Sequence, residues 1–128
     1  MSSAKRVLLK LSGEWFAGEK EKGFDEKTFE RISSAIDFTK QKKIQLGIVI
    51  GGGNIFRGRD LKDIKIDRVS ADYIGMLSTI MNGIALSNFL REKGHSNKLF
   101  SSFAIGNFVQ AYNTCLLYTS DAADDLWC

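Results

Sequence analysis

Proline is absent from this chain, histidine occurs once, and cysteine occurs twice, at Cys115 and Cys128 near the C-terminus. The missing proline has no physical reading beyond composition. Before residue 114 there is no cysteine, so neither a disulfide framework nor a cysteine metal cluster can be argued. His95, the one histidine, lies in the loop Gly94 to Asn97. No serine, cysteine or carboxylate stands at a spacing that would make it a catalytic base, and it is expected on the surface. Long apolar runs are also lacking, and the N-terminus has no charged region leading into an apolar core. Neither a leader nor a membrane span is expected, and a cytoplasmic location is the default.

The 128 residues are 44% hydrophobic and 26% charged, the profile of one globular domain. The last fifteen depart from it. Thr114 to Cys128 holds both cysteines, three aspartates and no lysine or arginine, and continues no periodic pattern. Its core, CLLYTSDAADD, resembles the translation of a transposon adapter used in preparing DNA libraries. We therefore read 1–113 as the folded part and 114–128 as foreign sequence. With the tail set aside, 12 acidic residues face 18 basic ones, a net charge of +6.

The most informative segment is LGIVIGGGNIFRG, Leu46 to Gly58. A short apolar run without alternation predicts a parallel strand buried on both faces, and open α/β sheets bind ligands beyond the carboxyl ends of such strands. Gly51, Gly52 and Gly53 sit at that end. They are expected to take positive φ and to bring backbone N–H groups against an anion, with Arg57 in reach of it and Asn54 capping a short helix. A second strand, Arg6 to Leu11, ends likewise. Lys10 closes it as a mobile cation, and the Ser12 hydroxyl and Gly13 amide can hold oxygens in place. Two strand ends, each with glycine and a cation, suit a site gripping two phosphate groups.

Between and beyond these loops, strand and helix alternate. Gly18 to Gly23 reads as a polar, hairpin-like segment. Asp25 caps a helix running to about Lys43, with Phe29, Ile32 and Ile36 at helical spacing. Its terminal lysines suit the helix dipole and need no nucleic-acid partner. A strand follows over Gln45 to Ile50. Next comes a long, mostly buried helix from Asp67 to about Arg91, carrying Tyr73, Leu77, Ile80, Ile84 and Phe89 on one side. Lys98 to Phe103 is a last strand, followed by a short helical piece to Tyr112. On the long helix, Asp72 could accept hydrogen bonds from a sugar or base, or be merely solvated. Asn82 would more ordinarily satisfy a nearby backbone group.

KLSG at Lys10 to Gly13, GGGNIFRG at Gly51 to Gly58 and RVSADYIGMLSTIMNG at Arg68 to Gly83, in this order, resemble the bacterial UMP kinases of the amino-acid kinase superfamily. The likeness covers about Lys5 to Asn113, the N-terminal half of that domain. It implies a three-layer αβα sandwich with a mainly parallel sheet. It also implies transfer of the γ-phosphoryl of ATP to UMP with magnesium, in pyrimidine nucleotide biosynthesis, by a homohexamer regulated by GTP and UTP. By matching position, Lys10, Leu11, Ser12, Gly13, Gly53 and Arg57 would contact ATP, with Lys10 and Arg57 acting in catalysis. Gly52 and Asp72 would contact UMP. Gly18, Glu19, Lys20, Glu21, Lys22 and Gly23 match the region tied to GTP activation, although this charged insert and the bulky Trp15 and Phe16 depart from the family's smaller residues. No metal ligand is identified. The family's second half supplies the loop over UMP, the catalytic aspartate, another lysine and the adenine pocket, so the chain alone is expected to be inactive. The alternatives are another member of the superfamily or a small basic nucleotide- or nucleic-acid-binding module. Strands buried on both faces leave such a module no sheet surface for stacking bases, so neither a nucleic acid nor a membrane is expected as a partner.

Overall fold

In the computed structural model, the described residues are 5–20, 22–56, 63–102, 104–106 and 109–111. Strand β1 (Lys5–Leu11) leads into a short helix α1 (Gly13–Ala17) and a single 3₁₀ turn at Gly18–Lys20. Helix α2 (Glu26–Gln41), strand β2 (Ile44–Ile50), helix α3 (Arg68–Glu92) and the short strands β3 (Phe100–Ser101) and β4 (Gln110–Ala111) follow. β1 and β2 pair in parallel, from Lys5 opposite Ile44 to Leu11 opposite Ile50.

Register decides which residues share a face. Leu11 and Ile50 are partners, as are Leu9 and Ile48, and side chains alternate along a strand. Leu11, Ile48 and Ile50 therefore point to one side, where Phe29, Ile32 and Ile36 of α2 and Leu86 and Leu90 of α3 complete the core. Phe16 of α1 closes it, edge-on to Phe29 with ring centroids 5.6 Å apart. Burying such side chains contributes about 1.5–3 kcal/mol each. The opposite face carries Arg6, Leu8 and Lys10, and Leu8 is 66% exposed. The expectation of strands buried on both faces fails for β1, where only Leu11 is buried. Among the described residues β1 has one ladder neighbour and helices on one face. The bare face still lacks the aromatic side chains that stack bases, since its β2 residues are Gln45, Gly47 and Val49.

Other boundaries shift for local reasons. Asp25 caps α2 as expected, accepting from the Lys27 N–H at 3.1 Å. The segment before it is no hairpin: the Asp25 N–H donates to Phe16 O, and Gly18 adopts φ +57° against the Asp25 side chain, folding the chain into the 3₁₀ turn. No helix occupies residues 109–111; they form a bridge and a strand parallel to β3, with Val109 buried against Ile80 and Leu99. Nor is α3 mostly buried. Val69, Tyr73, Leu77 and Met81 are all exposed, while its buried residues include Ser78, Asn82, Gly83 and Ser87. An eighteen-residue window of α3 reaches mean hydropathy 1.2, long and apolar enough to cross a membrane, which contradicts the expectation that no such stretch exists. Its buried polar residues and its packing on α1, α2 and β2 are those of a core helix.

His95 is the clearest reversal. α3 ends in a Schellman motif: the Gly94 N–H donates to Arg91 O, the His95 N–H to Leu90 O, and Gly94 has φ +87°. That turn sends the residue after glycine back towards the helix, so His95 is 4% exposed rather than a surface side chain. Its Nε2 lies 3.2 Å from Ser33 Oγ and 3.4 Å from Asp37 Oδ1, pinning the end of α3 to α2.

At the other end of α3, Asp67 accepts from the Ser70 N–H at 2.8 Å and from the Ser70 hydroxyl at 3.0 Å. The Ser70 backbone bond, then its side-chain bond, hold the Asp67 carboxyl below its ordinary value of 3.8. A lowered folded pKa stabilises the fold above the unfolded value, and that contribution is lost as pH falls through the folded one. Acid denaturation followed by circular dichroism should therefore show wild type losing stability below about pH 3.8 relative to Asp67→Asn, which caps without titrating. Parallel acid profiles would remove the cap from the explanation.

Candidate functional site

The two glycine-bearing strand ends meet. The Gly51 N–H donates to Leu11 O at 2.9 Å, extending the ladder one residue past the strands. Gly13 is buried against the other loop so closely that a Cβ there would overlap the Gly53 nitrogen and stand 2.6 Å from the Gly52 carbonyl carbon. Gly52 in turn lies on α3, where its Cβ would come within 2.8 Å of Ser78 Cβ and 3.0 Å of Thr79 N. None of Gly51, Gly52 and Gly53 has positive φ, contrary to expectation. Gly51 and Gly52 need glycine because three backbone segments touch, a demand of space rather than of handedness, whereas a Cβ at Gly53 would meet only the movable end of Glu14.

Around this junction, Lys10 and Ser12 are exposed, and Ser12 occupies the N-cap of α1 without spending its hydroxyl on a cap bond. Glu14 was not foreseen. Its carboxylate stands over Gly53, where a Cβ would meet Oε1 at 2.6 Å, so the loop carries an anion of its own beside the expected cations. Asp72 is exposed in the second turn of α3 and has no hydrogen-bond partner among the described residues. It lies seven residues before Thr79 on nearly the same helix face, about 10 Å along the axis from the level of Gly52. Lys10, Ser12, Gly13, Gly52 and Gly53 are thus brought to one end of the parallel pair, with Asp72 further out along α3. Arg57 and Glu21 lie outside the described residues. The rest of the 18–23 segment is present, with Glu19, Lys20 and Lys22 exposed.

Among the described residues Asn54 caps no helix. It is 1% exposed and exchanges amide hydrogen bonds with Asn82, which is fully buried: Asn54 Nδ2 donates to Asn82 Oδ1 at 3.0 Å and Asn82 Nδ2 to Asn54 Oδ1 at 2.6 Å. Asn82 Nδ2 also reaches Gly51 O at 2.7 Å, the backbone satisfaction expected of it. Separately, a groove of about 460 Å³ runs between β1, α1 and α2, lined by Lys10, Ser12, Trp15 and Arg31 over an apolar floor of Leu9 and Ile48. Arg31 had no sequence signal beyond an exposed helical position.

Among the described residues, no three of histidine, cysteine, aspartate and glutamate gather to hold a metal ion. Glu14 is one carboxylate, which does not make a cage. Magnesium is commonly held by one or two carboxylates together with substrate phosphates, so one carboxylate beside a phosphate loop is compatible with a metal that arrives with its nucleotide.

A parallel βαβ unit whose strand ends converge on a glycine-lined loop places the molecule among α/β domains that bind ligands at the carboxyl edge of the sheet. Residues 5–124 match the Amino acid kinase family, and the chain belongs to it. It is 44% identical over 108 residues to a uridylate kinase of Bifidobacterium longum, covering 84% of this chain and 44% of that protein. A uridylate kinase of Psychrobacter cryohalolentis is 40% identical over 110 residues, 85% of this chain and 46% of its own length. The crystal structure of UMP kinase from Bacillus anthracis superposes with a TM-score of 0.86 at 34% identity, covering 98% of this chain and 52% of that one. UMP kinase from Ureaplasma parvum gives the same TM-score at 26% identity. The chain spans about half the length of the relatives it matches.

Proposed function

We propose that residues 1–113 are the N-terminal half of a UMP kinase, an enzyme moving the γ-phosphoryl of ATP to UMP to give UDP and ADP, and that 114–128 are foreign to it. The observation that carries this reading is the backbone contact of Gly13 with Gly52 and Gly53, which joins the two candidate phosphate loops into one surface. The names of the similar proteins support the choice of nucleotide.

Phosphoryl transfer needs positioning and charge cancellation more than covalent chemistry. In this reading Lys10 follows the transferred group, Ser12 and the Gly13 and Gly53 backbone hold ATP oxygens, and Leu11 contributes only through backbone position because Gly51 engages its carbonyl. Arg57 adds a second cation. Gly52 and Asp72 hold UMP, the phosphate at the loop and the sugar towards Asp72. Magnesium entering with ATP would supply charge neutralisation, with the Glu14 carboxylate standing over Gly53. A cytoplasmic homohexamer under GTP and UTP control completes the reading by resemblance, with residues 18–23 as the GTP-linked segment.

The test is turnover. The 128-residue chain should form no ADP from ATP and UMP above a Lys10→Ala control, since half the site is missing. Residues 1–113 joined to their own genomic continuation should form it. Turnover by the short chain, or none by a folded extended one, would sink the proposal.

A further inference from the structure

We infer that Asn54 and Asn82 are a positioning pair: their amide clasp sets the glycine loop against α3 and ties it to the 18–23 segment, so that loop and segment move as one unit. The inference rests on the kinase reading only for what the loop binds.

Two side-chain amides, 1% and 0% exposed, use nearly their whole hydrogen-bonding capacity on each other and on two distant backbones. Asn82, in the middle of α3, reaches Gly51 O, the first residue of the loop. Asn54, just after the loop, holds Gly23 twice: its Nδ2 donates to Gly23 O at 2.8 Å, and its backbone carbonyl accepts from the Gly23 N–H at 3.0 Å. The reciprocal amide bonds join these two grips. A shift of Gly23 therefore either drags Asn54 with it or leaves buried amide groups unpaired, a cost that makes such networks switch together. Gly23 suits the role. It has φ +78° and nothing lies within 4 Å of where a Cβ would sit, so its recorded ties to the loop are its two hydrogen bonds to Asn54. Lys22 and Lys20 beside it are exposed, so a ligand or charge acting on that segment acts on the loop. Neither asparagine touches the reacting groups; both act through Gly51 to Gly53.

Hydrogen exchange on the intact 128-residue chain, without nucleotide, tests the clasp. The bonded amides of Gly23, Gly51, Ile55 and Phe56 should open together, with one denaturant dependence, and independently of the α2 amides of Ile32 to Ile36. Separate opening of Gly23 and Gly51 overturns the inference, and this reading needs no variant. Asn54→Ala, Asn82→Ala and the double variant should each weaken protection at Gly23 and Gly51 by about tenfold or more, with the double no worse than either single. Loss spread equally over α2 would show a merely structural pair. Additive losses would show two independent bonds. In a second arm, ATP or UMP should raise protection at Gly23 together with the loop. Protection of the loop alone overturns the coupling, whereas no protection anywhere counts against the nucleotide reading, and the ligand-free arm decides the clasp in either case.

Discussion

Gly13→Ala should cost the chain much of its stability, about 3 kcal/mol or more, with the melting temperature falling by about 10 °C or the cooperative transition vanishing. The new methyl would overlap the Gly53 nitrogen and crowd the Gly52 carbonyl and α-carbons. Flexible side chains yield to overpacking at modest cost, but backbone pinned on three sides does not. Leu11 holds Gly51, Asn82 holds the same residue, and Ser78 and Thr79 back Gly52. To admit the methyl, either α1 must lift off the strand ends, exposing Phe16, or the loop must leave α3 and break the asparagine clasp. Gly75→Ala is the matched control. It sits in α3 with nothing within 4 Å of a Cβ, and there alanine should raise stability by about 0.5–1 kcal/mol through helix propensity alone. Melts of the two variants side by side decide the matter. Equal melting temperatures would mean that the tight junction is not what glycine serves at position 13.

Much of this architecture is legible in the chain because local chemistry and tertiary structure agree. Asp25 and Asp67 cap helices where the pattern of apolar residues begins, and the run into Gly51 is a parallel strand. The glycine loop was found for an incomplete reason. Sequence suggests glycine by its freedom at positive φ, whereas Gly51 and Gly52 use its lack of a side chain, and no local signal tells the two uses apart. The surface expectation for His95 fails because its burial is decided by the turn after α3 and by Ser33 and Asp37, 62 and 58 residues earlier. The cap expected at Asn54 fails for a similar reason: its partners are Gly23 and Asn82, neither close in sequence. The long helix misled in another way. Its apolar residues are spread round the helix and not confined to one side, and the structure buries Ser78 and Asn82 against the loop and Ser87 against Asn97 while leaving Val69, Tyr73, Leu77 and Met81 outside.

Lys10 and Asp72 should separate cleanly in the extended enzyme, because one is placed to meet charge that moves and the other a group that does not. Lys10 lies one residue before the end of β1, beside the glycine junction, and is exposed. Lys10→Ala should lower kcat by about 10²- to 10³-fold, the usual cost of removing one preorganised group that stabilises developing charge, with a small change in KM for UMP. Asp72 stands about 10 Å along α3 from the level of Gly52, and its exposed carboxylate has no hydrogen-bond partner among the described residues. Asp72→Asn keeps the shape and removes charge from an acceptor. KM for UMP should rise about ten- to hundredfold, the loss expected for a hydrogen bond to a charged group, while kcat and KM for ATP hold nearly constant. A merely solvated aspartate gives a different pattern, with both Michaelis constants unchanged. Steady-state kinetics with each substrate varied in turn measure both variants at once. If Lys10→Ala keeps its kcat, or Asp72→Asn shifts UMP and ATP alike, the phosphate loop and the helix face have been given the wrong nucleotides.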